Sequence, residues 1–210
     1  SAPRGRLVGG RNLLSHWAGW RRLFDQPAVM RLVKQYVGSQ AGVVRALFFD
    51  KPPGESWALS IHRDKTIAVE SHCDPADPFS KPTRKAGVPH VEATHELLNQ
   101  MLTLRFHLDP MCDENGPLTV ISGSQDLDNE ALQPDAETIH CGRGDVFAMR
   151  PLLLHGSKSA QATTAMHRRV VHFELAPSGE LPRNYRWNEF QLIDPLGDVA
   201  GRPNSYQSGS

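Results

Sequence analysis

Along residues 25–38, DQPAVMRLVKQYVG, the apolar positions Val29, Leu32, Val33, Tyr36 and Val37 recur at the spacing of one helical face. Pro27 suits a first helical turn and Gly38 a stop, so the spacing predicts a helix over 27–37. A second, short helix is predicted near THELLNQ, residues 94–100. After Gly38 the pattern changes. VVRALFFD, WALSIHRD, MLTLRFHLD, GPLTVISG, GDVFAMRP, LLLHGS and HRRVVHFELA are short extended runs, each bounded by Gly, Pro, Asp or Asn. Such a ladder predicts a mainly β protein with flanking helices, a β-sandwich or a jelly-roll barrel, of which the jelly roll, the double-stranded β-helix, is the fold expected here. The chain divides into a helical segment over 1–40, a jelly-roll core over 41–178 and a tail over 179–210 that ends in GDVAGRPNSYQSGS, all within one domain.

Two of the runs alternate strictly. In the first, Leu102, Leu104, Phe106 and Leu108 interleave with Thr103, Arg105, His107 and Asp109. In the second, Arg168, Val170, His172 and Glu174 interleave with Arg169, Val171, Phe173 and Leu175. Alternation gives each strand one polar and one apolar face. Either the polar face meets solvent, or it lines a cavity while the apolar face packs under helices such as 27–37. The candidate chemistry below favours the second arrangement. Residues 72–96 show no clear period and read as a lid or substrate loop. Their charges, Lys81, Arg84, Lys85 and His90, favour a polar or anionic substrate.

Composition narrows the function classes. Lys+Arg and Asp+Glu both number 23, so no net charge draws the chain toward nucleic acid or a membrane surface. No run approaches the ~20 apolar residues of a membrane span. Three cysteines without CxxC spacing fit a reduced, cytoplasmic protein. Trp17, Trp20, Trp57 and Trp187 are expected in packing, Cys73 as an inert thiol, and His107, His140, His167 and His172 as satisfied strand histidines.

The segment SIHRDKTIAVE, residues 60–70, sets His62 and Asp64 two apart in a strand-like run, hence on one face. His155 follows three leucines far downstream. Two imidazoles and a carboxylate on one side of a metal leave three positions open, the facial triad of non-haem Fe(II) oxygenases. An arginine lies 13 or 14 residues beyond His155, where a short hairpin would return it beside that histidine to clamp a dicarboxylate. Arg168 shares the polar face and is favoured over Arg169.

In this order, HxD, NGPLTVISGSQ, GDVFAMRPLLLHGS and RRVVHFEL, preceded by FFDKPPGESWALSIHRD, the chain resembles the phytanoyl-CoA dioxygenase (PhyH) family of Fe(II)/2-oxoglutarate oxygenases over about residues 44–177. The resemblance implies His62, Asp64 and His155 as iron ligands and Arg168 as the partner of the far carboxylate of 2-oxoglutarate. It implies Ser157, Arg105 and Leu47 as further residues of the co-substrate pocket; Arg11, in GGRNLL, could also reach in but is not counted among them. It further implies O2 as oxidant, ascorbate as a supporting reductant, and hydroxylation of a small molecule with release of succinate and CO2. A carboxylate at 64, where a small residue would admit halide, implies hydroxylation. Gln125 and Arg63 depart from the residues familiar in the family. The competing reading is a cupin-like metal enzyme or binding protein that does not use 2-oxoglutarate.

Overall fold

The computed structural model describes residues 9–54, 57–126 and 135–193. The final stretch read as a tail, 197–210, and the first eight residues of the helical segment lie outside the described residues. Thirteen strands are present among them: β1 (Gly9–Gly10), β2 (Gly42–Lys51), β3 (Leu59–His62), β4 (Thr66–Ala68), β5 (Ser80–Lys85), β6 (Val88–Glu92), β7 (Leu102–His107), β8 (Leu118–Val120), β9 (Glu137–Ile139), β10 (Val146–Met149), β11 (His155–Ser157), β12 (Arg168–Ala176) and β13 (Gln191–Leu192). The helices are α1 (Leu13–His16), a 3-10 segment Ala18–Phe24, α2 (Pro27–Tyr36) and α3 (His95–Gln100). The mainly β fold with flanking helices is the one the sequence predicts. None of the described helices is long and apolar enough to cross a membrane.

Helix α2 starts and stops where its punctuation dictates. Pro27 opens it, and Gly38 closes it at φ 115°, a backbone conformation that glycine adopts without a Cβ clash. The Gly38 amide donates to the Val33 carbonyl at 3.1 Å. Val29 and Val33 are buried, Leu32 and Val37 lie alongside them, and Tyr36 turns outward beneath the Arg150 guanidinium.

The larger sheet has the order β1-β2-β12-β7-β10, with β13 pairing the other end of β2. Its outer face carries Val171, Phe173, Leu175, Leu102, Leu104 and Phe106, packed on Trp20, Phe24, Val29 and Val33. Phe173 stacks edge-on against Phe24 and Phe106, with centroids 5.2 and 5.6 Å apart. Its inner face carries Thr103, Arg105, His107, Arg168, His172 and Glu174, all buried. The alternation therefore takes the second of its two arrangements: apolar side to the helices, polar side inward. A four-stranded sheet, β3-β11-β8-β9, shares a cavity with this polar side, and a further three-stranded sheet has the order β4-β6-β5.

Five local expectations change. Residues 72–96 are not aperiodic: β5 and β6 form a hairpin whose two-residue turn, Ala86 and Gly87, has φ of 49° and 82°. Every residue of SKPTRK is exposed or half-buried, so no inward-outward alternation marked it as a strand. β3 ends at His62, so His62 and Asp64 do not share a strand face. Leu152, Leu153 and Leu154 form a turn, and His155 begins a strand rather than ending one. β11 and β12 belong to different sheets, so no hairpin pairs them. The segment 179–193 is also integrated into the fold: Tyr185 and Trp187 enter the second hydrophobic cluster.

Because Phe173 is fully buried between sheet and helices, Phe173→Ala is expected to lower the unfolding free energy by about 3–5 kcal/mol, measured by urea titration.

Candidate metal centre

β11 lies between β3 and β8, and its register sets His155 opposite His62. The two rings consequently meet, with centroids 4.5 Å apart. Asp64 arrives by another route. Beyond β3, Arg63 reaches back with Nε donating to the Leu152 carbonyl at 2.8 Å and Nη2 to the Ser124 carbonyl at 2.7 Å. The Asp64 amide donates to the Pro151 carbonyl at 2.9 Å. These bonds tie the segment to the turn before β11 and bring the carboxylate between the two imidazoles. Asp64 Oδ1 is 3.7 Å from His62 Nε2, and Oδ2 is 3.5 Å from His155 Nε2.

The three side chains fit a cation. Two donors each about 2.1 Å from one ion are separated by at most about 4.2 Å, and both carboxylate–imidazole distances fall inside that limit. The tautomers fit as well. His62 Nδ1 is bonded to the Ser60 carbonyl at 2.8 Å and His155 Nδ1 to the Leu153 carbonyl at 2.9 Å. A carbonyl only accepts, so each Nδ1 carries the proton and each Nε2 offers its lone pair to the shared space. Burial holds the His155 pKa below its ordinary value, against the opposing pull of Asp64, and favours the neutral form a ligand needs. His62 and Asp64 remain partly exposed while His155 is buried, so the open side of the centre faces solvent past the first two.

Gly156 allows the two ligand strands to meet. A Cβ at this position would lie 2.6 Å from the Leu59 carbonyl oxygen and 3.2 Å from the Ile61 amide nitrogen. Only a glycine lets β3 approach β11 this closely.

Beside the triad, a cavity of about 260 Å³ is lined by Phe49, Arg105, Ser157 and Arg168 together with His155. Arg105 and Arg168 are buried at 7% and 4% exposure. Burial, and then their mutual repulsion, hold the Arg168 pKa below the usual arginine range. Burial likewise lowers that of Arg105, which Asp64 partly offsets. No carboxylate offsets Arg168 among the described residues. The Nε atoms of both arginines are buried without a hydrogen-bond partner, as are both ring nitrogens of His107 and Nε2 of His172.

The other expected residues separate. Arg169 points outward and forms a two-pronged ion pair with Asp109, at 2.7 and 2.6 Å. Leu47 is buried opposite His172, and with Arg11, Lys85 and His90 it borders a small void near Arg45, on a different flank from the cavity. Lys81 pairs with Glu92 at 2.7 Å, and Arg84 donates to the Gly87 carbonyl at 3.1 Å. Gln125 bonds Asp126 away from the triad. His140 and His167 face Asp113 and Asp50. His107, expected to be satisfied, lacks a partner at both ring nitrogens, and His172 is satisfied at Nδ1, by Arg105 at 3.4 Å, but not at Nε2. Trp20 and Trp187 are core residues, whereas Trp17 and Trp57 are exposed. One residue is absent from the expectations: Lys51, fully buried at the end of β2, opposite Arg168. The face of β2 that carries it, Arg45, Leu47, Phe49 and Lys51, mixes polar and apolar side chains, so alternation gave no signal; the pairing with Arg168 does.

The family model described as phytanoyl-CoA dioxygenase (PhyH) matches residues 9–170. Comparison with curated proteins gave no significant match. Among solved structures, SnoN, a non-haem alpha-ketoglutarate-dependent epimerase from nogalamycin biosynthesis, aligns with TM-score 0.60 at 18% identity, over 93% of this chain and 70% of its own. HygX from Streptomyces hygroscopicus, with nickel and 2-oxoglutarate bound, aligns with TM-score 0.55 at 14% identity, over 80% and 71%. EvdMO1 aligns with TM-score 0.55 at 23% identity over 80% of this chain, which spans only 35% of EvdMO1.

Gly156→Ala is expected to push β3 off β11 and weaken Mn(II) or Fe(II) binding at least about tenfold, comparable to losing a residue that orients a ligand, as read by equilibrium dialysis.

Proposed function

The chain belongs to the phytanoyl-CoA dioxygenase family, and from that premise we propose that it is an Fe(II)/2-oxoglutarate-dependent dioxygenase that hydroxylates a small molecule and releases succinate and CO2. The observation that carries this reading is the pair of buried guanidiniums converging on one cavity beside a two-histidine, one-carboxylate cluster. Buried cations without an acid are costly, and a bound dianion is the natural compensation. The donor set of nitrogen and carboxylate oxygen suits ferrous iron, and nothing in it calls for the thiolates of a structural zinc site.

In this reading His62, Asp64 and His155 hold the iron. Bound there with the keto acid and O2, it supplies the oxidising power. The protein's own part is placement. Arg168 clamps the far carboxylate of 2-oxoglutarate with its planar fork. Arg105, which feels Asp64 as Arg168 does not, stands nearer the triad and steadies the co-substrate along its length. Leu118 and Phe49 cover the apolar middle. The cavity of about 260 Å³ approaches the ~300 Å³ lower bound of ordinary small-ligand pockets, which leaves the primary substrate to approach from the solvent side past His62 and Asp64. Asp64 occupies the coordination position that a halide would otherwise take, which favours hydroxylation over halogen transfer. Because SnoN is an epimerase, the product mass is the arbiter between hydroxylation and epimerisation.

Calorimetric titration of 2-oxoglutarate into the Mn(II)-loaded protein tests the assignment. Arg168→Leu is expected to weaken binding at least about tenfold, the loss of a charge-assisted, two-pronged contact, whereas Arg169→Ala changes it less than about twofold. A metal-loaded protein that ignores 2-oxoglutarate overturns the reading in favour of the cupin-like alternative.

A further inference from the structure

Lys51 is a buried cation that neither the triad nor the arginine clamp explains. It is 1% exposed, and its Cα pairs with that of Arg168 on the neighbouring strand. Its Nζ donates to Ser157 Oγ at 2.9 Å and to the Lys158 carbonyl at 2.8 Å, and lies 5.4 Å from the centre of the Trp57 ring. None of these partners is an acid. Burial, then repulsion from Arg168 and Arg105, pushes the Lys51 pKa down to about 7. A buried lysine that is hydrogen-bonded yet has no carboxylate facing it points to an anionic ligand that compensates it.

The direction of the hydrogen bonds adds a second argument. An ammonium has three donors and no acceptor. Ser157 Oγ must therefore accept from Lys51 and send its own proton elsewhere. Ser157 lines the cavity that Arg105 and Arg168 enter. With Lys51 charged, Ser157 is committed to donating into that cavity; with Lys51 neutral, the hydroxyl is free to donate back to the amine.

Resting on the 2-oxoglutarate reading above, we propose that Lys51 is a positioning residue of the far-carboxylate site, which commits Ser157 to donate to the carboxylate and takes up a proton as the dianion binds. The groups facing Lys51 are Arg168 from β12, Arg105 from β7, Ser157 from β11, the Lys158 carbonyl just beyond it, and the Trp57 ring. Among them Lys51 is the group that titrates near neutrality. The sign follows directly. The bound carboxylate favours the ammonium and raises the Lys51 pKa from about 7. Above pH 7, then, binding consumes a proton, and affinity falls as pH rises.

The test compares 2-oxoglutarate with 2-oxobutanoate, which has the same chelating keto acid but no far carboxylate. Both are titrated calorimetrically into the Mn(II)-loaded protein, in buffers of differing ionisation enthalpy. For 2-oxoglutarate the wild type is expected to take up most of one proton near pH 8 and to bind about tenfold more weakly for each pH unit above the free lysine's pKa. With 2-oxobutanoate neither effect is expected. Lys51→Met is expected to cost at least about tenfold in 2-oxoglutarate affinity, the scale of one hydrogen bond to a charged group, and to abolish proton uptake. Its Mn(II) and 2-oxobutanoate affinities stay at the wild-type level. Lys51→Arg restores part of the affinity without the pH dependence. Wild-type 2-oxoglutarate binding without proton uptake, or undiminished binding by Lys51→Met, overturns the proposal while leaving the co-substrate reading intact. Failure of the wild type to bind 2-oxoglutarate at all overturns both. If Lys51→Met does not fold, the wild-type proton count decides alone.

Discussion

Burying a guanidinium without an ion-pair partner costs several kcal/mol, and among the described residues Arg105 and Arg168 are both buried this way, on adjacent strands with their side chains turned inward. Everything else about the fold can be understood as what makes that arrangement tolerable. The outer face of the same strands carries an uninterrupted apolar row packed against α2 and the 3-10 segment before it. The polar inner row is therefore mounted on the best-packed layer of the molecule. Strand β12, central in the larger sheet and paired along its length, cannot rotate its arginine out of the cavity without giving up Val171, Phe173 and Leu175 on its other side.

The two sheets that share the cavity divide the chemistry. The four-stranded sheet supplies His62 and His155 from adjacent strands at a glycine-permitted close approach, while the larger sheet supplies the cations. Within the larger sheet a chain of polar groups runs away from the cavity. Arg105 Nη1 lies 3.4 Å from His172 Nδ1, His172 Nε2 lies 3.4 Å from Glu174 as an ion-pair contact, and Glu174 binds Arg45, whose Nη1 meets His90 Nε2 at 3.1 Å. Burial alone would raise the Glu174 pKa, but Arg45 and His172 outweigh it and bring it to about 2. This acid stays ionised and compensates Arg45, at the end of the interior away from the cavity. Arg168 and Lys51 sense only other cations, and the positive potential is concentrated where a dianion would lie.

Much of this was legible from residue order. Strict alternation in LTLRFHLD and RRVVHFEL already separated an apolar face from a polar one, and the structure turns the polar one inward. The motifs around His62, Asp64 and His155 marked the three side chains that converge, although the strand carrying His62 ends there, two residues short of Asp64, and the simple i, i+2 argument fails. Bonds from the Arg63 guanidinium to the Leu152 carbonyl and from the Asp64 amide to the Pro151 carbonyl, invisible to local periodicity, bring the carboxylate in. Long-range pairing was equally hidden: nothing in the spacing from His155 to Arg168 reveals that their strands lie in different sheets. Lys51 escaped notice because it follows a run of phenylalanines and precedes two prolines, and reads as the polar end of a strand. Only the register with Arg168 shows that it is buried.

The central claim is that the triad and the cationic cavity together form one site for a metal and a chelating keto dicarboxylate. The most direct measurement is anaerobic addition of Fe(II) and then 2-oxoglutarate to the wild-type protein, recorded in the visible spectrum. The account predicts a metal-to-ligand charge-transfer band that saturates at one equivalent of each and that neither component produces alone. Iron that binds at the triad yet gives no band at saturating 2-oxoglutarate would contradict it.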